Sequence, residues 1–198
     1  MTKYNEFLQR VISKNSLLTL PQIYHHVRNI PYGSTGNRDP RIVYTSNLGS
    51  CSGKHILLRD LLREAGYRAE IVTMFTYFNE STPIDESFPE ELKAIATHER
   101  VPDFHHYLRV FEQETWLNLD ATWHDALMNF GFRVNHDWDG STHTKLAAVA
   151  EQEYPVTENI IDLKTRLVAS LSQDQQELRG KYFQLVTEWI SENAKSSP

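Results

Sequence analysis

The stretch GSCSGKHILLRDLLREAG, residues 49–66, decides how this chain is read. It starts as a Gly/Ser turn and continues as an amphipathic helix. Ile56, Leu57, Leu58, Leu61, Leu62 and Ala65 form a broad apolar stripe, while Lys54, Arg59, Asp60, Arg63 and Glu64 fall on the other, solvated side. Gly66 stands where a helix ends in a left-handed residue. A stripe this wide predicts a helix over 52–65 that is buried against a sheet. At its start sits Cys51, the only cysteine among 198 residues. A thiol there faces the positive end of the helix dipole and first-turn N–H groups, and both favour the reactive thiolate.

Outward from this segment, residues 4–29 carry apolar positions at helical spacing. Pro21 divides them into two helices, with Leu20 extended ahead of the proline. IPYGSTGNRDPR (30–41) is dense in turn residues and reads as an ordered loop, and IVYTSN (42–47) as a short extended segment. YRAEIVTMFTYF (67–78) is a strand rich in β-branched and aromatic residues. Residues 79–102 form an acidic insertion, helical near 89–97 and able to cover a site. HHYLRVFE (105–112) and TWLNLDAT (115–122) make a hairpin. Residues 123–158 are irregular. NIIDLKTRLVASL and a helix after the N-cap Ser172 close the chain.

The hairpin brings chemistry to the thiol. A turn near 112–114 pairs His105 with Asp120 or Ala121, and paired residues project on one face. His106 then points to the opposite face, with Leu119, so parity selects His105 as the base and Asp120 as its orienter. A nucleophile of depressed pKa, a base, an orienter and oxyanion donors are what acyl transfer by a thiol requires. The Cys51 N–H serves as one such donor, because a first-turn N–H has no intrahelical partner.

Composition narrows the partners. A net charge of -6, with no basic run among aromatics, argues against nucleic acid. A single cysteine precludes an internal disulfide framework or a Cys-based zinc cluster and suits a reducing compartment. No apolar run approaches the ~20 residues of a membrane span, and the N-terminus lacks a signal peptide's apolar region. The expectation is a cytoplasmic protein without membrane association. Nothing in the sequence sets its oligomeric state.

These residues carry a family resemblance. Gly49–Cys51 opening a helix, His105-x-Tyr107-x-x-Val110 and Trp116-x-x-x-Asp120-x-Thr122 resemble the motifs of transglutaminase-like proteins in the papain-like thiol superfamily. IPY (30–32) and DPRIVY (39–44) fall where that family has its lead-in to the cysteine. The resemblance covers roughly 25–125. Tyr107 replaces the family's usual tryptophan, Arg109 stands where an acidic residue is common, and SGKH replaces small or aromatic residues after the cysteine. The resemblance implies an α+β fold: an antiparallel sheet packed on a central helix bearing the cysteine, with extra N- and C-terminal helices. It implies one domain over 1–198, with a core of about 25–125 and a helical extension of about 159–193. Carried over, Cys51 is nucleophile, His105 base and Asp120 orienter. The implied reaction is acyl transfer or hydrolysis of an amide or ester through an acyl-enzyme, without a cofactor or metal. The substrate would be a peptide, a protein or a small amide or ester. His55, His106 and Trp123 are candidate substrate contacts.

Two other readings compete. The same fold could act as a binding module without catalysis. Alternatively, the histidine-rich set His105, His106, His124, Asp125, His136, Asp137 and His143 could supply a zinc hydrolase site, although HExxH is absent. GSCSGKH is not a phosphate loop: Leu48 stands where its first glycine belongs, and His55 replaces the hydroxyl residue.

Overall fold

The computed structural model describes residues 2–34 and 36–194. The fold is α+β. Four strands, β1 (Arg68–Tyr77), β2 (Pro102–Glu112), β3 (Thr115–Leu119) and β4 (Gln152–Tyr154), form an antiparallel sheet in the order β3-β2-β1-β4. Adjacent residues of β1 enter opposite cores. Ala69 and Ile71 join one apolar cluster, Val72 and Met74 the other, as the period of a strand covered on both faces requires.

The first face packs on α4 (Cys51–Glu64), supported by α1 (Lys3–Lys14) and α2 (Leu20–Arg28). Leu57, Leu58, Leu61 and Leu62 of α4 are all 0% exposed and meet Ile71, Leu108, Val110 and Leu119. Burying each such side chain is worth about 1.5–3 kcal/mol, so this stripe holds the helix to the sheet. The second face is covered by α7 (Gln173–Asn193), through Tyr182, Val186 and Trp189, and by α5 (Glu90–His98) through Leu92. A further helix, α6 (Ile160–Ala169), precedes α7. Ser172 caps α7 in a reciprocal box with Gln175.

Several local expectations are corrected. IVYTSN is not extended: Pro40–Ser46 is a helix, α3. Asp39 caps it by accepting from the Arg41 N–H, and Pro40 occupies the first turn, where it loses no hydrogen bond. These start signals outweigh the β-branched composition. Leu20 is likewise helical, because Thr19 rather than Leu20 is the extended residue and forms a capping box with Gln22. Residues 79–102 cover α7 rather than a cleft: Phe88 packs edge-on against Trp189, and Glu91 pairs with Lys181. Residues 123–158 contribute β4, which pairs Thr73 with Tyr154.

The largest departure is Lys54. Read from sequence as a solvated helix residue, it is 0% exposed. Its Nζ donates to the carbonyls of Arg28 (2.8 Å), Ile30 (2.6 Å) and Thr122 (2.9 Å). The ammonium thereby joins the end of α2, the following loop and the segment after β3 to the first turn of α4. Lys54→Met keeps the stem and removes the donors, leaving buried carbonyls unmatched. It is expected to lower stability by roughly 3 kcal/mol in urea unfolding. A change below roughly 0.5 kcal/mol, the level of an ordinary surface substitution, would show that these bonds are dispensable.

Candidate active site

Cys51 is the first residue of α4. Ser50 caps the helix, its hydroxyl accepting from the Gly53 N–H at 3.5 Å. Gly53 permits a close approach: a Cβ there would lie 2.8 Å from Val43 of α3. A parallel bridge between Tyr32 and Gly49 runs alongside, with Gly49 N–H donating to Pro31 O and Gly33 N–H to Gly49 O, both at 3.1 Å. These contacts hold the loop before α3 against the cysteine turn. They bring Tyr32, a buried side chain, into the wall of the Cys51 cleft.

His105 enters from β2. Its Nε2 hydrogen-bonds Asp120 Oδ2 at 2.8 Å, and both side chains are buried. The β2–β3 ladder ends at Leu108–Leu119, so His105 and Asp120 are diagonal neighbours rather than direct partners. The parity expected from sequence still holds. Asp120 is itself fixed by the N–H groups of Ala147 (2.8 Å, to Oδ2) and Thr122 (2.9 Å, to Oδ1). The other ring nitrogen of His105, Nδ1, is buried and has no hydrogen-bond partner among the described residues. A ring nitrogen of His105, the Cys51 Sγ and a carboxylate oxygen of Asp103 all lie within 4.8 Å of one another. With Nε2 committed to Asp120, Nδ1 is the nitrogen left for the thiol.

Charge is distributed to ionise the pair. Burial pushes the Cys51 thiol up, but the Lys164 charge and then the His105 ring more than offset it, bringing the thiol down to about 6. Burial pulls His105 down, while Asp120, by charge and hydrogen bond, and then Cys51 raise it to about 10. Burial disfavours the Asp120 carboxylate, yet His105 holds it well below the usual range. The Cys51 and His105 shifts both favour the thiolate–imidazolium form of the pair near neutral pH.

The sequence did not point to Asp103, Lys164 or Arg179. Asp103 Oδ1 is gripped by Arg179 (Nη2 at 2.7 Å, Nε at 2.8 Å) and approached by Lys164 Nζ at 3.4 Å. Lys164 comes from α6 and Arg179 from α7, far along the chain, so no local spacing links them to Cys51. Asp103 alternates with His105 along β2, which is the one sequence signal available.

The three candidate substrate contacts lie beneath the site rather than on a cleft wall. His55 is 0% exposed and bridges backbone: Nδ1 meets Cys51 O at 2.7 Å, and Nε2 accepts from the Ala121 N–H at 2.9 Å. Burial pulls it down to about 4, so it is the neutral tautomer with Nδ1–H donating. His106 is also 0% exposed, with Nδ1 2.8 Å from Ser52 Oγ, and burial depresses it well below its ordinary value. Trp123 is packed among Tyr32, Phe78 and Phe132. None of the three is among the residues lining the cleft.

The histidine-rich metal set does not converge. His124 Nε2 meets Ala194 O, His136 pairs with Asp137 near the surface, and His143 Nδ1 accepts from the Asn118 N–H. Among the described residues, the one group close enough to share a cation is Cys51, Asp103 and His105. Its carboxylate is already neutralised by Arg179 and Lys164, so the donor set fits a metal poorly.

A family model described as the transglutaminase-like superfamily matches residues 8–121. No curated protein matches the chain. Among solved structures, a chain from Cytophaga hutchinsonii provisionally named a cysteine protease aligns at 18% identity with a TM-score of 0.44. The alignment covers 60% of this chain and 37% of that one.

The ionisation scheme is open to measurement. Iodoacetamide alkylation of Cys51 should rise as pH passes about 6 and then stay level, because the thiolate is lost only below that value. His105→Ala should move the midpoint upward, toward an ordinary thiol. A wild-type midpoint near 8.5, the value of a free cysteine, would exclude the ion pair.

Proposed function

The chain belongs to the transglutaminase-like superfamily, and from that premise we propose that it is a thiol-dependent acyl-transfer enzyme acting on an amide or ester. The observation that carries this reading is the order Asp120–His105–Cys51, with His105 Nδ1 unpartnered beside the sulfur.

In the proposed reaction the Cys51 thiolate attacks the carbonyl carbon, forming a C–S bond and moving the carbonyl electrons onto oxygen. The Cys51 N–H at the helix start and the Tyr32 hydroxyl in the cleft wall are the proposed donors to that oxyanion. As the tetrahedral species collapses, the bond to the leaving amine or alcohol breaks. His105, protonated at rest, gives its proton to that leaving group. Water or an amine then attacks the thioester, losing a proton to His105. The C–S bond breaks, and the thiolate–imidazolium pair returns. Asp120 holds the imidazole by Nε2 throughout, which keeps Nδ1 directed at the reacting atoms. The acyl-enzyme needs no cofactor.

His106 has no part in this scheme, since its ring is neutral and bonded to Ser52. Incubation with an activity probe or a pool of amides and esters, followed by peptide mass spectrometry, should place an acyl adduct on Cys51 and none on a Cys51→Ala variant. With any substrate so found, His105→Ala should lower turnover by roughly 10²–10⁴-fold, and His106→Ala far less. Equal losses would overturn the assignment of the base. Tyr32→Phe should lower turnover by roughly 10²-fold while leaving iodoacetamide alkylation unchanged, as expected of an oxyanion donor. Parallel loss of both would instead mark Tyr32 as structural.

A further inference from the structure

The walls around Cys51 carry more positive charge than the Cys–His pair uses: Lys164 helps to ionise the thiol, but Arg38 and Arg179 have no part in that. The lining residues include Arg38, Lys164 and Arg179 as cations and Asp103 as the single acid. Arg179 is committed to Asp103 through two nitrogens on one oxygen. Lys164 lies at a longer 3.4 Å from the same oxygen; its side chain is 5% exposed, and Asp103 is its one ion-pair partner among the described residues. Arg38 has no carboxylate partner among the described residues. Its backbone lies against the first turn of α4, since a Cβ on Gly53 would sit 3.6 Å from the Arg38 Cα. Lys164 and Arg179 are anchored through Asp103, Arg38 joins the same wall from the loop before α3, and one carboxylate cannot balance three cations.

This basic cleft belongs to a chain of net charge -6. Composition would place Asp or Glu there as readily as Lys or Arg. Keeping an ammonium almost wholly buried with one distant counter-ion is costly unless another anion shares it. The resting thiolate supplies part of that anion. Once the sulfur is acylated its charge is gone, and the cations are left facing the acyl group.

We propose that the cleft selects acyl donors carrying a carboxylate close to the reacting carbonyl, with Arg38 and Lys164 as the specificity-determining cations. This rests on Cys51 as the nucleophile proposed above. Arg179 is the positioning residue that holds Asp103 in the cleft wall, where Lys164 shares the same carboxylate oxygen. The free space beside the sulfur is about 20 Å³, room for roughly one water, so the cations lie close to any group that reaches the thiol.

The matched pair iodoacetate and iodoacetamide tests this without knowledge of the natural substrate. Each reagent forms the same S–CH₂ bond and expels iodide; they differ in a carboxylate against a neutral amide. Second-order rates of Cys51 modification are measured by mass spectrometry at pH 7.5 and low salt. For the wild type, iodoacetate should react about 10-fold faster than iodoacetamide, an advantage that falls as salt is added. Arg38→Gln should slow iodoacetate far more than iodoacetamide and so remove most of that preference, with circular dichroism checking that the fold survives. Lys164→Gln should lower both rates and the ratio as well. A wild-type ratio of one or less, or a ratio indifferent to Arg38→Gln, overturns the anion preference and leaves the nucleophile standing. Inertness toward both reagents sinks the nucleophile itself, and the preference with it.

Discussion

The structure depends on one turn of helix α4 being tied to the chain that leaves β3. Lys54 donates to Thr122 O, and His55, its neighbour, accepts from the Ala121 N–H while holding Cys51 O. Asp120 directly precedes those two residues. The carboxylate that fixes His105 and the helix that carries the thiol are therefore spaced by two buried polar side chains acting as struts. Apolar packing could bring α4 to the sheet, but it is non-directional. Hydrogen bonds from buried donors fix the distance, because a shift of even an ångström would leave carbonyls unsatisfied.

That tie explains which parts of the molecule were legible from sequence. The Leu-rich stripe of α4, the Ser172 cap and the hairpin are local patterns, and each forms, the hairpin with its register shifted so that His105 and Asp120 are diagonal. Parity alone chose His105 over His106, because alternation survives a shift of register by an even number of residues. α3 was misread because a helix of seven residues offers composition too little length to outweigh β-branched side chains; its cap and proline were the better guide. Lys54, His55 and His106 were misjudged for a common reason. Polar side chains are assumed to seek solvent or substrate, and nothing in a linear pattern shows that a carbonyl from a distant loop awaits them. The Asp103–Lys164–Arg179 cluster joins β2, α6 and α7, so no single segment could display it.

The electrostatics of the site follow from burial. In water, a thiol and an imidazole side by side would remain largely neutral near pH 7. Here burial alone would enforce that neutrality, since it pushes Cys51 up and His105 down. The opposite outcome arises because each ion has a counter-charge on its far side: Lys164 toward the sulfur and Asp120 toward the ring. His106, buried beside the same histidine but without a carboxylate, goes the other way and loses its proton. Two adjacent histidines in one strand are thus shifted in opposite directions.

Asp103 binds Arg179 of α7, the last helix described, while Cys51, His105 and Asp120 all precede α6. A ribosome delivers the chain N-terminus first. A nascent polypeptide thus presents Cys51, His105 and Asp120 well before Lys164 and Arg179 emerge. Until the closing helices dock, the sulfur lacks a cation that helps ionise it and stays closer to an ordinary thiol. The closing helices thus bring both the cover of the second core and the charge that tunes the thiol.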